Sequence, residues 1–296
     1  MSDTLASLRH KINGADKLES VVRTMKAIAA SSIGQYEAAM RALTDYECTV
    51  ELGLGACFRR GGLVAVNQAG RMDANVIGAI VFGSDQGLVG QFNEVMAEFV
   101  AQTLGALPGK KKVWAVGERI YSHLADAGLP LAGQFTVPSS VTAITRLVGQ
   151  IQIESEAHRA RAEYAHLYVF HNRPQFGALY EPVSQRLLPL DAQWQQSLAK
   201  VRWPTASLPE VFGGSEATLR ALIREYLFIS LFKACAESLA SENASRLAAM
   251  QRAEKNINAL SADLSQTFCR LRQSSIDEEL FDVIAGFNAL SKGAVR

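Results

Sequence analysis

A chain of 296 residues that is 48% hydrophobic and 20% charged has the composition of an ordinary globular protein with material for one or two domains. A formal net charge of +1 excludes the basic or acidic surplus typical of proteins that bind nucleic acid or a membrane surface. The longest uncharged apolar run, residues 76–83, is too short to span a membrane, and residues 1–11 lack the apolar core of a secretory signal. The four cysteines form no C-x-x-C pair, so we expect reduced thiols in a cytoplasmic protein.

The N-terminal part of the chain repeats apolar or small residues every three or four positions. They are Leu5, Leu8, Ile12, Ala15, Leu18, Val22, Met25, Ala29, Ile33, Tyr36, Met40, Leu43, Val50 and Leu54. This spacing predicts one helix that begins after Ser2 or Asp3 and ends near Cys57, with a narrow apolar stripe along it. We expect Gly34 to face a partner helix and to let the two backbones approach closely.

The C-terminal part repeats the same pattern, and Ser215 is a good N-cap for the helix that this pattern predicts. Its stripe comprises Leu219, Ile223, Tyr226, Ala236, Leu239, Leu247, Met250, Ile257, Leu260, Leu264, Phe268, Leu271, Leu280, Ile284, Phe287 and Leu290. Two such narrow stripes are most economically buried against each other, which predicts an antiparallel helix pair. The C-terminal helix is the longer one, so its end should project with exposed apolar side chains.

Between these helices the pattern changes to short apolar runs that alternate with amphipathic segments. Strands are predicted at residues 76–82, 112–116, 135–137, 167–170 and 178–190, with helices between the first four. This order indicates a mostly parallel sheet with helices on both faces. Because the last strand contains Pro182 and Pro189, it belongs at a sheet edge.

The predicted fold is therefore α/β: a long antiparallel two-helix coiled coil from the N- and C-termini plus a central, mostly parallel α/β domain with helices on both faces. The N-terminal coiled-coil helix takes residues 1–58 and a connector takes residues 59–75. The central α/β domain takes residues 76–190, a linker residues 191–214, and the C-terminal coiled-coil helix residues 215–296.

No pattern of an enzyme active site emerges, and we expect no catalytic residue, cofactor or metal ion. The glycine-rich turn at residues 83–90 fits neither G-x-x-x-x-G-K-[ST] nor G-x-G-x-x-G. Asp85 in this turn leaves nucleotide or metal binding open as an alternative to a structural turn or a partner contact. His166 and His171 flank a predicted strand, where we expect ordinary surface or rim positions.

Four segments resemble the γ subunit of F-type ATP synthases. Residues 238–250 are similar to the family segment S-x-x-S-E-x-A-[AS]-R-M-x-A-M, and residues 272–286 to its signature R-Q-A-x-I-T-x-E-L…V-x-G. Residues 22–31 resemble I-T-x-A-M-x-M-V-A-A, and residues 84–93 resemble S-D-[RK]-G-L-C-G-x-[FL]-N. With the element order also agreeing, the likeness extends over nearly the whole chain.

The sequence departs from the family pattern at several positions. Asp277 stands where the family usually has Thr, Phe287 where it has a small residue, and Thr24 where it has Ala. These departures are consistent with a variant F-type ATPase, and nothing in the chain sets H⁺ or Na⁺ as the transported ion.

The resemblance implies a non-catalytic rotor, the central stalk that couples ion flow through a membrane ring to conformational change in the catalytic sites of the α and β subunits. It implies the ε subunit and the membrane c-ring as further partners, and peripheral attachment to the cytoplasmic face of a bacterial inner membrane. Partner or helix-coupling contacts are implied for Arg23, Met25, Lys26, Arg246, Gln273, Asp277 and Glu279.

Simpler readings stand beside these roles. Met25 fits equally well as a core residue of the coiled coil, and Arg246 fits a solvated helix face. Two other functions also remain open: a coiled-coil scaffold that binds another helical partner, and a nucleotide-binding α/β protein.

Overall fold

The computed structural model describes residues 4–61, 76–160, 164, 166–175, 178–205, 207, 209–210 and 215–293. The chain divides into two compact units, which we call the paired-helix unit (residues 1–28 and 247–296) and the central unit (residues 29–246). None of the helices in the described part of the chain combines the length and the apolar character that a membrane span requires. The expected cap at Ser2 or Asp3 and most of the expected connector lie outside the described residues.

Eleven elements follow one another along the described chain. They are α1 (Leu5–Gly61), β1 (Val76–Phe82), α2 (Phe92–Ala106), β2 (Lys110–Val116), α3 (Glu118–Asp126), β3 (Leu131–Phe135), α4 (Val141–Ala160), β4 (His166–Gln175), β5 (Ala178–Leu188), α5 (Ala192–Lys200) and α6 (Ser215–Gly293). The two terminal helices are long and unequal, at 57 and 79 residues, as the apolar repeats predicted.

The central sheet has the strand order β3-β2-β1-β4-β5. β1 pairs in parallel with β2 and β4, and β2 pairs in parallel with β3. β5 is antiparallel to β4 and lies at the edge, with Pro182 opposite Asn172. The mostly parallel sheet with an antiparallel edge strand is thus confirmed, since proline cannot donate a hydrogen bond within a ladder and is tolerated at an edge.

Successive residues of β1 point to opposite faces of the sheet, and each face has its own apolar core. Ile77, Ala79 and Val81 belong to a core with α2 and α3. Ile80 and Phe82 belong to a second core with α4 and with the part of α6 that contains Leu231 and Leu239. The prediction of helices on both faces is therefore confirmed, and α6 serves as one of them.

α1 and α6 run antiparallel within the central unit. Glu47 accepts a hydrogen bond from Nζ of Lys233 at 3.0 Å, and Gly53 farther along α1 faces Leu222, which lies earlier in α6. α5, which lies in the stretch predicted as a linker, packs into the apolar cluster at this end of the two helices. A Cβ at Gly55 would lie 2.5 Å from the carbonyl oxygen of Leu198 in α5, so only glycine permits this approach.

The predicted role of Gly34 is wrong. Gly34 is exposed, and a Cβ there would meet nothing within 4 Å among the described residues. The third strand was also misplaced, because β3 occupies residues 131–135. The glycine whose close approach matters in α1 is Gly55, whose neighbour α5 gave no signal in the sequence.

In the paired-helix unit, α1 buries one residue in seven: Leu8, Ala15 and Val22. A strict seven-residue repeat keeps one stripe facing a partner helix. An ion pair joins α1 to α6, with Nζ of Lys26 2.6 Å from Oε2 of Glu254. The predicted stripe was too wide, because Leu18 in α1 and Leu260 in α6 are both more than half exposed.

The end of α6 extends past the start of α1. Lys26 and Glu254 lie at the same level of the antiparallel pair, and α1 begins 21 residues before Lys26, at Leu5. The position on α6 that lies at the level of Leu5 is therefore 21 residues after Glu254, at Ser275. Beyond this level several apolar side chains are exposed: Ile276, Leu280, Phe281, Val283 and Ile284. The predicted projecting end with exposed apolar residues is present in the structure.

Candidate functional site

The middle of α6 buries an unusual number of polar side chains. Six of them are no more than 8% exposed: Glu237, Ser238, Ser241, Glu242, Asn243 and Ser245. Burying a polar group without a partner is costly, and three of these residues are compensated by contacts with other elements. These contacts connect α6 to the carboxyl end of β4 and to the turn that follows β1.

Three of these residues recur every fourth position and so lie on one face of the helix. We call Glu237, Ser241 and Ser245 the polar joint. Nε2 of His171 lies 2.7 Å from Oε2 of Glu237, and Nε of Arg173 donates to the same oxygen at 3.2 Å. The hydroxyl of Ser241 donates to the carbonyl oxygen of Asn172 at 3.0 Å, and that of Ser245 to the carbonyl oxygen of Val89 at 2.5 Å.

Glu237 is held as a carboxylate by its neighbours. Burial raises its pKa, but the hydrogen bond and charge of His171, together with Arg173, outweigh this and leave the pKa below the ordinary value. Charge-assisted hydrogen bonds of this kind are stronger than neutral ones. Glu237 is therefore the most strongly held member of the polar joint.

Arg246 lies next to the polar joint and is engaged within the chain. Its Nη2 lies 2.5 Å from Oε1 of Glu242, one turn earlier in α6, and its Nη1 donates to Asn243 at 3.3 Å. The Arg246 side chain is 14% exposed, so it does not lie on the fully solvated helix face that was its simpler reading. Burial raises the pKa of Glu242 although Arg246 lowers it, and Asp85 nearby raises it further.

The glycine-rich turn after β1 is held by hydrogen bonds to neighbouring elements. The backbone N–H of Ser84 donates to Asn93 at 3.0 Å, and the Asn93 amide donates to the Ser84 hydroxyl at 2.8 Å. Both carboxylate oxygens of Asp85 accept backbone N–H groups, from Glu118 at 2.9 Å and Val137 at 3.0 Å. These bonds support the structural reading of the turn, since they occupy the carboxylate that a metal ion or ribose would need.

The other predicted contact residues lie in the paired-helix unit. Arg23 is exposed and pairs with Glu19 along α1, whereas Lys26 is half-buried and pairs with Glu254 of α6. Met25 is half-buried. The three remaining residues, Gln273, Asp277 and Glu279, are all exposed on α6. Lys26 is thus placed to couple the two helices, and the exposed residues are accessible to a partner.

The sequence did not indicate the polar joint. His171 was expected at a surface or rim position, but it is 1% exposed and bonded to Glu237, so that expectation is wrong. The available signal was the four-residue spacing of Glu237, Ser241 and Ser245. This signal was weak because the same spacing is common on solvated helix faces.

The chain matches known proteins over nearly its whole length. A family model described as ATP synthase matches residues 4–290. The ATP synthase gamma chain of Dechloromonas aromatica (strain RCB) is 26% identical over 298 residues, which cover 96% of this chain and 98% of that protein.

Solved structures share the fold at low sequence identity. A chain from the Euglena gracilis mitochondrial ATP synthase rotor, in rotational state 1, aligns with a TM-score of 0.63 at 14% identity over 92% of this chain and 98% of its own. A chain of the OSCP/F1/c-ring assembly from the same organism, in rotational state 3, aligns with a TM-score of 0.65 at 15% identity, over 99% of this chain and 96% of its own. A chain from the central stalk/c-ring of Tetrahymena thermophila mitochondrial ATP synthase aligns with a TM-score of 0.54 at 20% identity, over 79% of this chain and 99% of its own.

Proposed function

The chain belongs to the family of ATP synthase γ subunits, and on this basis we propose that it is the central rotor stalk of an F-type ATP synthase or ATPase. It couples ion flow through a membrane ring to conformational change in catalytic sites that other subunits carry. The observation that carries the proposal is the family match over residues 4–290, combined with two unequal terminal helices that pair beside an α/β sheet.

The asymmetry of the helix pair suits this role. A stalk that turns inside a ring of identical catalytic sites must present a different surface to each site, because only differential contact shifts a conformational equilibrium. Two helices supply this asymmetry, and α6 alone supplies the end past Ser275. Catalysis belongs to the β subunits, and this chain makes no covalent step.

The exposed apolar end of α6 acts as a bearing. Its residues Leu280, Phe281 and Val283 are all more than half exposed, so they present apolar surface to a surrounding partner. Apolar contacts are not directional, and a helix can therefore turn against an apolar collar without breaking specific bonds. Further contacts with the α and β subunits come from Arg23, Met25, Gln273, Asp277 and Glu279.

Lys26 and Arg246 contribute in a different way. The ion pair of Lys26 with Glu254 couples α1 to α6, and that of Arg246 with Glu242 stiffens α6 beside the sheet. The remaining partners are the ε subunit and the membrane c-ring, which contact the α/β domain. These subunits hold the chain at the cytoplasmic face of the bacterial inner membrane, without insertion of this chain into the bilayer and without nucleic acid.

Co-expression with the α and β subunits from the same source tests the proposal. We expect a purified complex that contains all three chains and hydrolyses ATP, and we expect its assembly to fail when this chain is omitted. A stable homodimer that ignores α and β would instead support the scaffold reading. Calorimetric titration of the isolated chain with ATP and ADP should show no binding, and clear binding would favour the nucleotide-binding reading.

A further inference from the structure

The serine hydroxyls of the polar joint do not bond where hydroxyls in a helix usually do. The usual acceptor for Ser or Thr is the carbonyl oxygen four residues earlier in the same helix. Three threonines of α1 follow this rule, at Thr24, Thr44 and Thr49. Ser241 and Ser245 of α6 instead donate to carbonyl oxygens of β4 and of the turn after β1. Both serines therefore connect α6 to the α/β domain.

These bonds resist motions that the apolar core beside them allows. Apolar packing is non-directional, so a helix can slide or rotate by a small amount with little loss. A hydrogen bond weakens steeply once its angle or length departs from the favoured range. Three anchors at Glu237, Ser241 and Ser245, spread over two turns of one face, oppose both rotation of α6 about its axis and sliding along it.

The polar joint lies far along α6 from the point where the chain enters this helix, and this affects how a twisting force can reach it. The chain connection from the sheet enters α6 at Ser215, which is 22 residues before Glu237. Without a lateral contact, a twisting force would have to travel along this length of helix. The partners of the polar joint include backbone atoms of Asn172 and Val89, which the sheet and its first turn hold in place.

We propose that the polar joint is a torque coupling, in which Glu237, Ser241 and Ser245 act as positioning residues that transfer rotation between the α/β domain and α6. The inference rests on the proposed rotor function and specifies how rotation passes through this chain. A complex with a loosened joint keeps its catalytic sites and its helix pair, but part of each rotation is lost as twist between the shaft and the α/β domain.

The test compares two double variants on the same helix. Ser241→Ala/Ser245→Ala removes both hydroxyls, and alanine favours the helix, so the fold should be retained. Ser261→Ala/Ser265→Ala is the matched control, with the same substitution at the same spacing in the paired-helix unit. Glu237→Gln is a third variant, which removes the charge of the strongest anchor but keeps its shape.

Each variant is assembled with the other subunits and reconstituted into vesicles, and two rates are measured. The first is ATP hydrolysis, and the second is the ATP-driven membrane potential reported by a voltage-sensitive dye, which responds to either H⁺ or Na⁺. For Ser241→Ala/Ser245→Ala we expect hydrolysis to change by less than about twofold, while the potential formed per ATP falls by about threefold or more, since two directional contacts are lost. Glu237→Gln should act in the same direction, and the control should match the unaltered chain.

The outcomes separate the inference from the proposal beneath it. Equal coupling in the polar-joint variants and the unaltered complex would overturn the torque coupling, and so would an equal loss in the Ser261/Ser265 control. An unaltered complex that hydrolyses ATP but forms no potential would contradict the rotor function itself.

Discussion

The helix α6 has a buried segment and an exposed segment, and the two differ in how they are held. From Ile229 to Asn243 every residue except Lys233 is buried, between the sheet and α1. From Gln251 to Ala285 no residue is buried. The first segment is held by an apolar core and by directional polar bonds, whereas the second is held by a narrow stripe and the ion pair of Lys26 with Glu254.

This difference indicates that one helix does two jobs. A segment enclosed by its own chain has no surface left for another subunit, so it suits the transmission of force within the chain. A segment that leaves most of its surface free can offer particular residues to partners. The buried segment therefore fixes α6 in the central unit, and the exposed segment carries Gln273, Asp277 and Glu279, the positions on α6 that we propose to contact the α and β subunits.

The largest expected effect on the free energy of unfolding comes from shortening a leucine in the buried segment, compared with the same change in the exposed one. Leu231 is 2% exposed, so Leu231→Ala should lower the free energy of unfolding by about 2–5 kcal/mol. Leu260 is 52% exposed, and Leu260→Ala should change it by less than about 0.5 kcal/mol. Denaturant unfolding of the purified chain measures both values. Similar losses for the two variants would contradict the assigned difference in packing.

The acidic residues of the two segments give the next comparison. Glu237→Ala leaves His171 without its buried partner and should cost about 1–3 kcal/mol. Glu254→Ala breaks a half-buried ion pair and should cost about 1 kcal/mol or less. The same unfolding measurement ranks them. If Glu254→Ala proved the more damaging change, the ion pair would be the principal attachment of α6.

The pH dependence of stability sharpens the role of Glu237. Its pKa in the folded chain lies below the ordinary value of 4.5, so its contribution is present above 4.5 and is lost as the pH falls through the lowered pKa. We expect Glu237→Gln to flatten the decline of the unfolding free energy in this acidic range. Glu254→Gln serves as the control. If the unfolding free energy of Glu237→Gln declined with falling pH as steeply as that of the unaltered chain, His171 and Arg173 would not hold this carboxylate.

The smallest expected effect is at the projecting end of α6. Phe281 is 70% exposed, so Phe281→Ser should alter the free energy of unfolding by less than about 0.5 kcal/mol. Because the contacts of an apolar collar are not directional, we also expect only a modest loss of ATP hydrolysis in the assembled complex. An inactive but stably folded variant would contradict the bearing role of this end.

The sequence predicted the elements whose pattern is local. The helix repeats and the apolar run of β1 depend on residues close together in the chain, and their structures agree with the predictions. Leu18 was misassigned because a two-helix pair buries a narrower stripe than the repeat of apolar residues suggests. The polar joint depends on pairs far apart, such as His171 and Glu237, which are separated by 66 residues. No local pattern encodes such a pair.

Direct observation of rotation is the sharpest test of whether this chain turns inside a catalytic ring. The complex with α and β is fixed to a surface, and a bead is attached to the α/β domain at Glu98→Cys, an exposed position on α2, after Cys48 and Cys269 have been changed to serine. On addition of ATP we predict continuous rotation in one direction, with one pause for each catalytic site in a turn. A bead that shows only undirected fluctuation, on complexes that hydrolyse ATP, would contradict the rotor function.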